Sequence, residues 1–238
     1  HIALISDIHL GTYIDSRHVR RIVNAVNKIR PDIVIIAGDL FDNYGSTSQT
    51  NIELSRVSRQ LKKIQSRDGV ILTLGNHDPV ASNDAFQSFL RESNIKLINN
   101  EVVEYSDFYI IGRTDPYRNL RDAIDTLICM CTKEKPRIVV DHDPQYIGEA
   151  VSCDADLVLS GHTHAGQFFP ASTLVRFVMG KEKFYGHHRI GKTHCIISAG
   201  AGVFNLPVRI GTRNEIVDIT LEPERSSCYG KKNIKIHQ

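Results

Sequence analysis

The stretch Ile33-Val34-Ile35-Ile36-Ala37-Gly38-Asp39-Leu40-Phe41-Asp42 decides how the chain folds. No polar side chain stands between Asp32 and Gly38, and four of the five residues are β-branched. Such a run predicts a strand over 33–37 buried on both faces. The run ends abruptly in Gly-Asp, so a carboxylate sits where the strand stops.

The same unit recurs outward from there. Apolar runs at 2–6, 70–74, 138–140 and 157–159 read as further buried strands, and 194–198 and 216–221 as closing strands. Residues 102–105 and 108–111 flank Ser106-Asp107 as a hairpin. Helix-period segments alternate with the strands. In 16–29, Val19, Ile22, Val23 and Val26 share one face and Pro31 follows; further helices are expected at 53–65, 81–91 and 119–131. This alternation predicts an α/β fold. With no linker or repeat, it gives one domain over 1–222 and a polar C-terminal tail over 223–238.

Composition narrows the function. The chain has 238 residues, 41% hydrophobic content and a formal net charge of +2. That charge gives no phosphate-tracking stripe, so a nucleic-acid partner is not expected. Five cysteines without a C-x-x-C pair argue against a disulfide framework or a thiolate zinc site. No run of about 18 apolar residues occurs, so this segment is not expected to cross a membrane. The chain opens at His1 directly into a strand with no initiator Met, which reads as a piece of a longer or processed protein. Its expected location is cytoplasmic, or peripheral to or anchored at a membrane through a segment upstream of residue 1. The sequence leaves the oligomeric state open.

The chemistry lies where strands end. The blocks are Asp7-Ile8-His9, Gly38-Asp39-Leu40-Phe41-Asp42, Gly75-Asn76-His77-Asp78, Asp141-His142-Asp143 and Gly161-His162-Thr163-His164. In an open α/β sheet, ligands bind at the carboxyl ends of strands, so these blocks should converge. Imidazole and carboxylate together suit manganese, iron or zinc. Residues i and i+2 of an extended segment share a side, so Asp7 with His9, and His162 with His164, should each aim at one region. Gly38, Gly75 and Gly161 permit tight turns and close backbone approach.

These blocks, in this order, resemble the calcineurin-like metallophosphoesterase superfamily, and the resemblance covers nearly the whole chain. The closing segment Ser198-Ala199-Gly200 through Ile216, with Gly161 through Gln167, resembles the bacterial subgroup of YkuE-like and YaeI-like phosphodiesterases and chlamydial-type UDP-diacylglucosamine pyrophosphatases. Where that subgroup has Ser-Arg-Gly, this chain has Ser198-Ala199-Gly200, so an Arg expected near the site is absent.

The resemblance implies a four-layer αββα sandwich, two mixed β-sheets flanked by helices. It implies two divalent or trivalent metal ions, manganese first, with iron or zinc as alternatives. Asp7, His9 and His164 would hold one ion, and Asn76, His142 and His162 the other. Asp39 would bridge both. The implied reaction is hydrolysis of phosphate esters, phosphodiesters first, by a metal-bridging hydroxide. His77 would assist the leaving group, and Asp42 would orient His77 through its other ring nitrogen. His1, His18, His187, His188 and His194 lie outside the pattern.

The stretch from Phe168 to Tyr185 (168–185) is apolar with interspersed Arg176, Lys181 and Lys183. It reads either as a loop folded onto the core or as a lip meeting lipid or a membrane surface. The second reading pairs with an alternative function, a UDP-2,3-diacylglucosamine pyrophosphatase-like hydrolase of a lipid-linked substrate. A non-catalytic metal-bound scaffold should lack His77 or a ligand, and none is missing.

Overall fold

Alternate residues of the central strands face two different apolar layers. The computed structural model describes residues 1–42, 51–117, 120–223 and 232–237. In β1 (Ile2–Ile5), Ile2 and Leu4 join one buried cluster while Ala3 and Ile5 join another. β2 (Ile33–Ala37) splits likewise, Ile33 and Ile35 against Val34 and Ile36. Side chains of successive strand residues point to opposite faces, so a strand covered on both sides needs no polar alternation.

One six-stranded sheet contains β1, β2, β3 (Val70–Thr73) and β4 (Ile95–Leu97), which run parallel. β11 (Val217–Pro223) pairs antiparallel with β1, and β12 (Lys232–His237) with β11. The second sheet has the order β5-β6-β7-β8-β10-β9. These strands are β5 (Glu101–Glu104), β6 (Tyr109–Arg113), β7 (Arg137–Asp141), β8 (Leu157–Ser160), β9 (Gly186–Ile190) and β10 (Thr193–Ile197). Its inner strands are parallel and β5 and β9 are antiparallel edges. Ile2, Leu4, Ile33 and Ile35 of the first sheet meet Ile110, Ile138, Val140 and Leu157 of the second in one cluster. α1 (Ser16–Ile29), α2 (Asn51–Leu61) and α3 (Asp84–Ser93) cover the outer face of the first sheet; α4 (Ile124–Ile128) and α5 (Ile147–Ser152) cover that of the second. The result is the expected αββα sandwich of two mixed sheets.

α1 spans the expected residues because its ends are well marked. Asp15 accepts from the Arg17 and His18 backbone amides, and Arg30 closes the helix in the left-handed region before Pro31.

Other elements depart from the sequence reading. The helix expected over 119–131 is only α4; Asn119 lies outside the described residues. The segment before α4 is drawn into tertiary contacts. Leu120 gives its carbonyl to Asn100, Arg121 reaches Asp141, and the Asp122 carbonyl accepts from Arg113. β4 is three residues long, and β9 (Gly-His-His-Arg-Ile) is a polar edge strand; neither carries a strong apolar signal. Part of the expected tail forms β12. The stretch 168–185 contains a nine-residue helix, α6 (Ala171–Met179), none of whose residues is buried, so it is not a loop folded onto the core.

Candidate metal centre

Backbone hydrogen bonds zip the loops after the strands together. Asp7 N donates to Gly38 O, His9 N to Asp39 O, and Leu10 N to Leu40 O, joining the loops after β1 and β2. Gly161 N donates to His142 O, joining those after β7 and β8, and Gly202 N donates to Asp7 O. Blocks far apart in sequence thereby meet at one rim.

Three groups of candidate ligands result among the described residues, one of them His9, Asp42 and His77 and the other two drawn from the expected ligand sets. Asp7, His9 and His164 offer ligand atoms within 4.8 Å of one another, and so do Asp39, His142 and His162. In the first, His9 Nε2 and His164 Nε2 face each other at 3.1 Å, with Asp7 Oδ1 3.5 Å from His164 Nε2. In the second, His142 Nε2 is 3.0 Å from Asp39 Oδ2, and Asn76 Oδ1 is 3.0 Å from His162 Nδ1. Asp39 Oδ2 also lies 3.7 Å from His9 Nε2, so one carboxylate oxygen borders both groups. Asp7 and His9 share a group, although both have left-handed φ rather than the extended backbone on which the i, i+2 expectation rested. His162 and His164 are divided between the two, because these loops are not extended.

The backbone explains that division. Asp7, His9, Asp39, His162 and His164 all have φ between 50° and 70°, a region that costs non-glycine residues about 1–3 kcal/mol each. Five strained residues in one rim mark a site whose geometry is imposed by its surroundings. Close packing does the imposing. A Cβ on Gly75 would stand 2.2 Å from Asp39 Oδ1, and one on Gly161 would stand 2.3 Å from Asp7 Oδ2. Both Asp7 oxygens accept from His162 N, at 3.0 and 3.1 Å, and Asp39 Oδ1 accepts from His77 N at 2.9 Å.

The donor set fits a cation pair. His142 Nδ1 must donate to the Ala37 carbonyl at 2.8 Å, since a carbonyl has no proton. Its Nε2 then faces the buried Asp39 carboxylate at 3.0 Å. In that position either a proton on Nε2 or a metal cation between the two atoms offsets the carboxylate charge, so the pair fits a metal that displaces the proton. Burial works against charge on His142, yet Asp39 beside it lifts its pKa well above the ordinary value. Burial likewise opposes charge on Asp39, but His142 holds it below the usual carboxylate range. Burial pushes His164 down to about 4, partly opposed by Asp7, which keeps its imidazole neutral for a ligand role.

His77 stands beside both groups, edge-on to His9 with centroids 5.2 Å apart. Its Nδ1 is 2.9 Å from the Asp42 backbone carbonyl. The Asp42 carboxylate does not take the expected place on His77; it lies 3.5 Å from His9 Nδ1 instead. Asp42 thus restrains His77 through its main chain and His9 through its side chain. Asp141 and Asp143 give His142 no side-chain bond. Asp141 is buried against Arg113 and Arg121, and Asp143 caps the following turn at Gln145 N.

Three further residues shape the site without having been singled out in the sequence. The Phe204 ring lies 4.9 Å from His77 and 5.1 Å from His9. Gln167 fixes it, accepting from Phe204 N and donating to the Phe204 and Leu206 carbonyls. Arg209 donates to the carbonyls of Ala199, Gly202 and His164 at 2.7, 2.8 and 3.2 Å. An arginine therefore does stand behind the site, reaching the Ala199 backbone from ten residues further on.

The αββα sandwich thus brings paired groups of O/N candidate ligands together at its strand ends. Residues 1–166 match the calcineurin-like phosphoesterases, and the chain belongs to that family. It is 32% identical over 238 residues to a transmembrane protein with metallophosphoesterase domain from Danio rerio, covering 93% of this chain and 53% of that protein. An uncharacterized metallophosphoesterase of Helicobacter pylori is 32% identical over 233 residues, covering 95% and 60%. YkuE of Bacillus subtilis, also an uncharacterized metallophosphoesterase, is 25% identical over 239 residues, covering 93% and 78%. The chain thus spans between half and two thirds of the first two relatives. A putative 5'-nucleotidase from Staphylococcus aureus shares the fold, with a TM-score of 0.56 at 14% identity, over 99% of this chain and 52% of that one.

Proposed function

We propose that this chain hydrolyses phosphate esters, phosphodiesters first, at a two-cation centre. Asp7, His9 and His164 hold one ion, Asn76, His142 and His162 the other, and Asp39 both. The observation that carries the reading is the single Asp39 oxygen lying 3.7 Å from His9 Nε2 and 3.0 Å from His142 Nε2. When bound, the cations (manganese first, iron or zinc as alternatives) supply an acidified water and positive charge for the phosphoryl oxygens.

The protein's own groups do the rest. With Nδ1 donating to the Asp42 carbonyl, His77 carries a proton on Nε2 only as imidazolium. In that form it protonates the leaving oxygen or steadies equatorial charge. Phe204 walls the same side and limits water access.

The test is turnover of bis-p-nitrophenyl phosphate by manganese-loaded protein, with p-nitrophenyl phosphate in parallel. Diester turnover exceeding monoester turnover is expected. Faster monoester cleavage would reverse the preference, and no turnover of either would leave the non-catalytic scaffold.

A second reading places the site at a membrane surface, with a lipid-linked substrate such as a UDP-diacylglucosamine and a peripheral location. It is favoured by the apolar rim beside the site. Leu174, Phe177 and Val178 of α6 are 64%, 86% and 72% exposed, and Phe169, Leu206 and Ile210 are exposed nearby. Phe169 N donates to Ile210 O, so the two apolar segments are stitched together. No helix among the described residues is long and apolar enough to cross a membrane, so the contact would be interfacial.

A further inference from the structure

The polar side of α6 faces a cavity of about 460 Å³ that the metal centre does not use. Ser172, Thr173 and Arg176 line it from the helix, and Tyr185 and Arg213 from the chain opposite. Successive helical residues turn by about 100°, so 172, 173 and 176 occupy one side of α6 and 174, 177 and 178 the other. The helix therefore has a cationic, hydroxyl-bearing side at the cavity mouth, with Thr173 and Arg176 exposed, and a bare apolar side.

Neither guanidinium in the cavity has a hydrogen bond or ion pair among the described residues. The carboxylate that could have served them is engaged. Glu215 accepts from Tyr185 Oη at 2.8 Å and from Ala199 N at 2.7 Å. Two arginines border one concave space, and a guanidinium matches phosphate oxygens in bidentate fashion, so an anion there can be met from both sides. Ala165 and Ala199 form the wall toward the metal centre, one residue from His164.

We propose that this cavity takes the phosphate of an anionic phospholipid headgroup while the Leu174, Phe177 and Val178 edge of α6 enters the acyl boundary. The inference rests on the membrane-surface reading and adds the site that selects the lipid. A free phosphate would satisfy the arginines but leave that apolar edge in water. A lipid meets both sides of the helix at once, and lateral diffusion would then deliver substrates past the His164 turn.

The experiment is co-sedimentation of the whole chain with vesicles of phosphatidylcholine alone or mixed equally with phosphatidylglycerol, at constant ionic strength. Three variants are compared with wild type: Arg176→Gln/Arg213→Gln, the equal-charge control Lys181→Gln/Lys192→Gln, and Phe177→Ser/Val178→Ser. Wild type should prefer the anionic vesicles, and soluble glycerol phosphate should compete. At about 1 kcal/mol per cation near an anionic surface, loss of both arginines should weaken binding by about thirtyfold or more. The lysine control should lose clearly less. Retained turnover of bis-p-nitrophenyl phosphate would show that each variant is folded. Equal losses in the arginine and lysine variants, or none in either, would overturn the cavity assignment while leaving membrane docking in place. Absence of any vesicle binding would overturn both. Calorimetric phosphate binding without vesicle preference would assign the cavity to a soluble anion and also overturn the proposal.

Discussion

Arg209 holds the turn that presents His164. Its guanidinium donates to the His164 carbonyl at 3.2 Å and spans from there to the carbonyls of Ala199 and Gly202. It is a positioning residue, because its hydrogen bonds go to backbone oxygens that a lysine could not reach together. Arg209→Lys should weaken binding of one metal by about 10–100-fold, as loss of outer support typically does. Titrating metal into chelator-stripped protein measures this. Two unchanged affinities would remove Arg209 from the site.

His77 should separate binding from turnover. It is in neither proposed ion's ligand set, and among the described residues its ring hydrogen-bonds to the Asp42 carbonyl and packs edge-on against His9 and Phe204. His77→Ala should keep both metals and lose about 10²–10⁴-fold in kcat, the usual worth of a positioned acid. Elemental analysis and single-substrate kinetics on one preparation give both quantities. Near-normal kcat would exclude His77 from proton transfer.

The site was legible because its chemistry is concentrated in His, Asp and Asn at strand ends. What the sequence hid is what the fold alone brings together. Phe204 and Arg209 act through a ring face and three backbone carbonyls, and neither leaves a residue pattern. Asp42 was expected to orient His77 through its carboxylate, but its main-chain oxygen meets His77 and its carboxylate lies by His9, an arrangement set by a turn the sequence does not specify. α6 buries none of its residues, packing on the turn at Gly166 through a half-buried side, so core-facing periodicity is absent. Net charge was a poor guide to local charge. At +2 overall, the chain still gathers Arg17, Arg20, Arg56, Arg59, Lys62 and Lys63 along one groove between α1 and α2.

Gly161 should tolerate no side chain, whereas Gly148 should accept one. A Cβ on Gly161 would meet Asp7 Oδ2 at 2.3 Å and Ser6 Cβ at 2.7 Å, both in fully buried residues. Gly161→Ala should therefore displace Asp7 and release one metal. Gly148 lies in α5, and nothing lies within 4 Å of its would-be Cβ. Gly148→Ala should stabilise the chain by about 0.5–1 kcal/mol through helix propensity. Metal content and urea midpoints compare the two directly.

His187 and His194 should make stability fall with acid. Their rings stack with centroids 5.1 Å apart, and Nε2 of one is 2.9 Å from Nδ1 of the other. Burial first, then neighbouring positive charge (His188 for His187, His187 for His194), lowers both pKa values. The unfolded chain then binds protons more readily than the folded one. Their contribution is fully present above about pH 6.5 and is lost as pH falls through the lowered folded values. Replacing both with Gln should flatten the urea-midpoint profile between about pH 7 and 5. An unchanged slope would mean the pair titrates normally.

Asp39→Asn is the sharpest test of a shared centre, because it changes one oxygen to an amide at nearly constant shape. Asp39 Oδ1 accepts from His77 N, and Asn can keep that bond with its remaining oxygen. The amide nitrogen must then occupy the position of Oδ2, between His9 Nε2 and His142 Nε2. A nitrogen bearing two protons donates there and cannot ligate. Both metal affinities should fall together, while Asp7→Asn, whose carboxylate oxygens are candidate ligands of the first group alone, should weaken mainly one. If Asp39→Asn removes a single ion and leaves the other at full occupancy, the carboxylate serves one site and the centre is two separate sites.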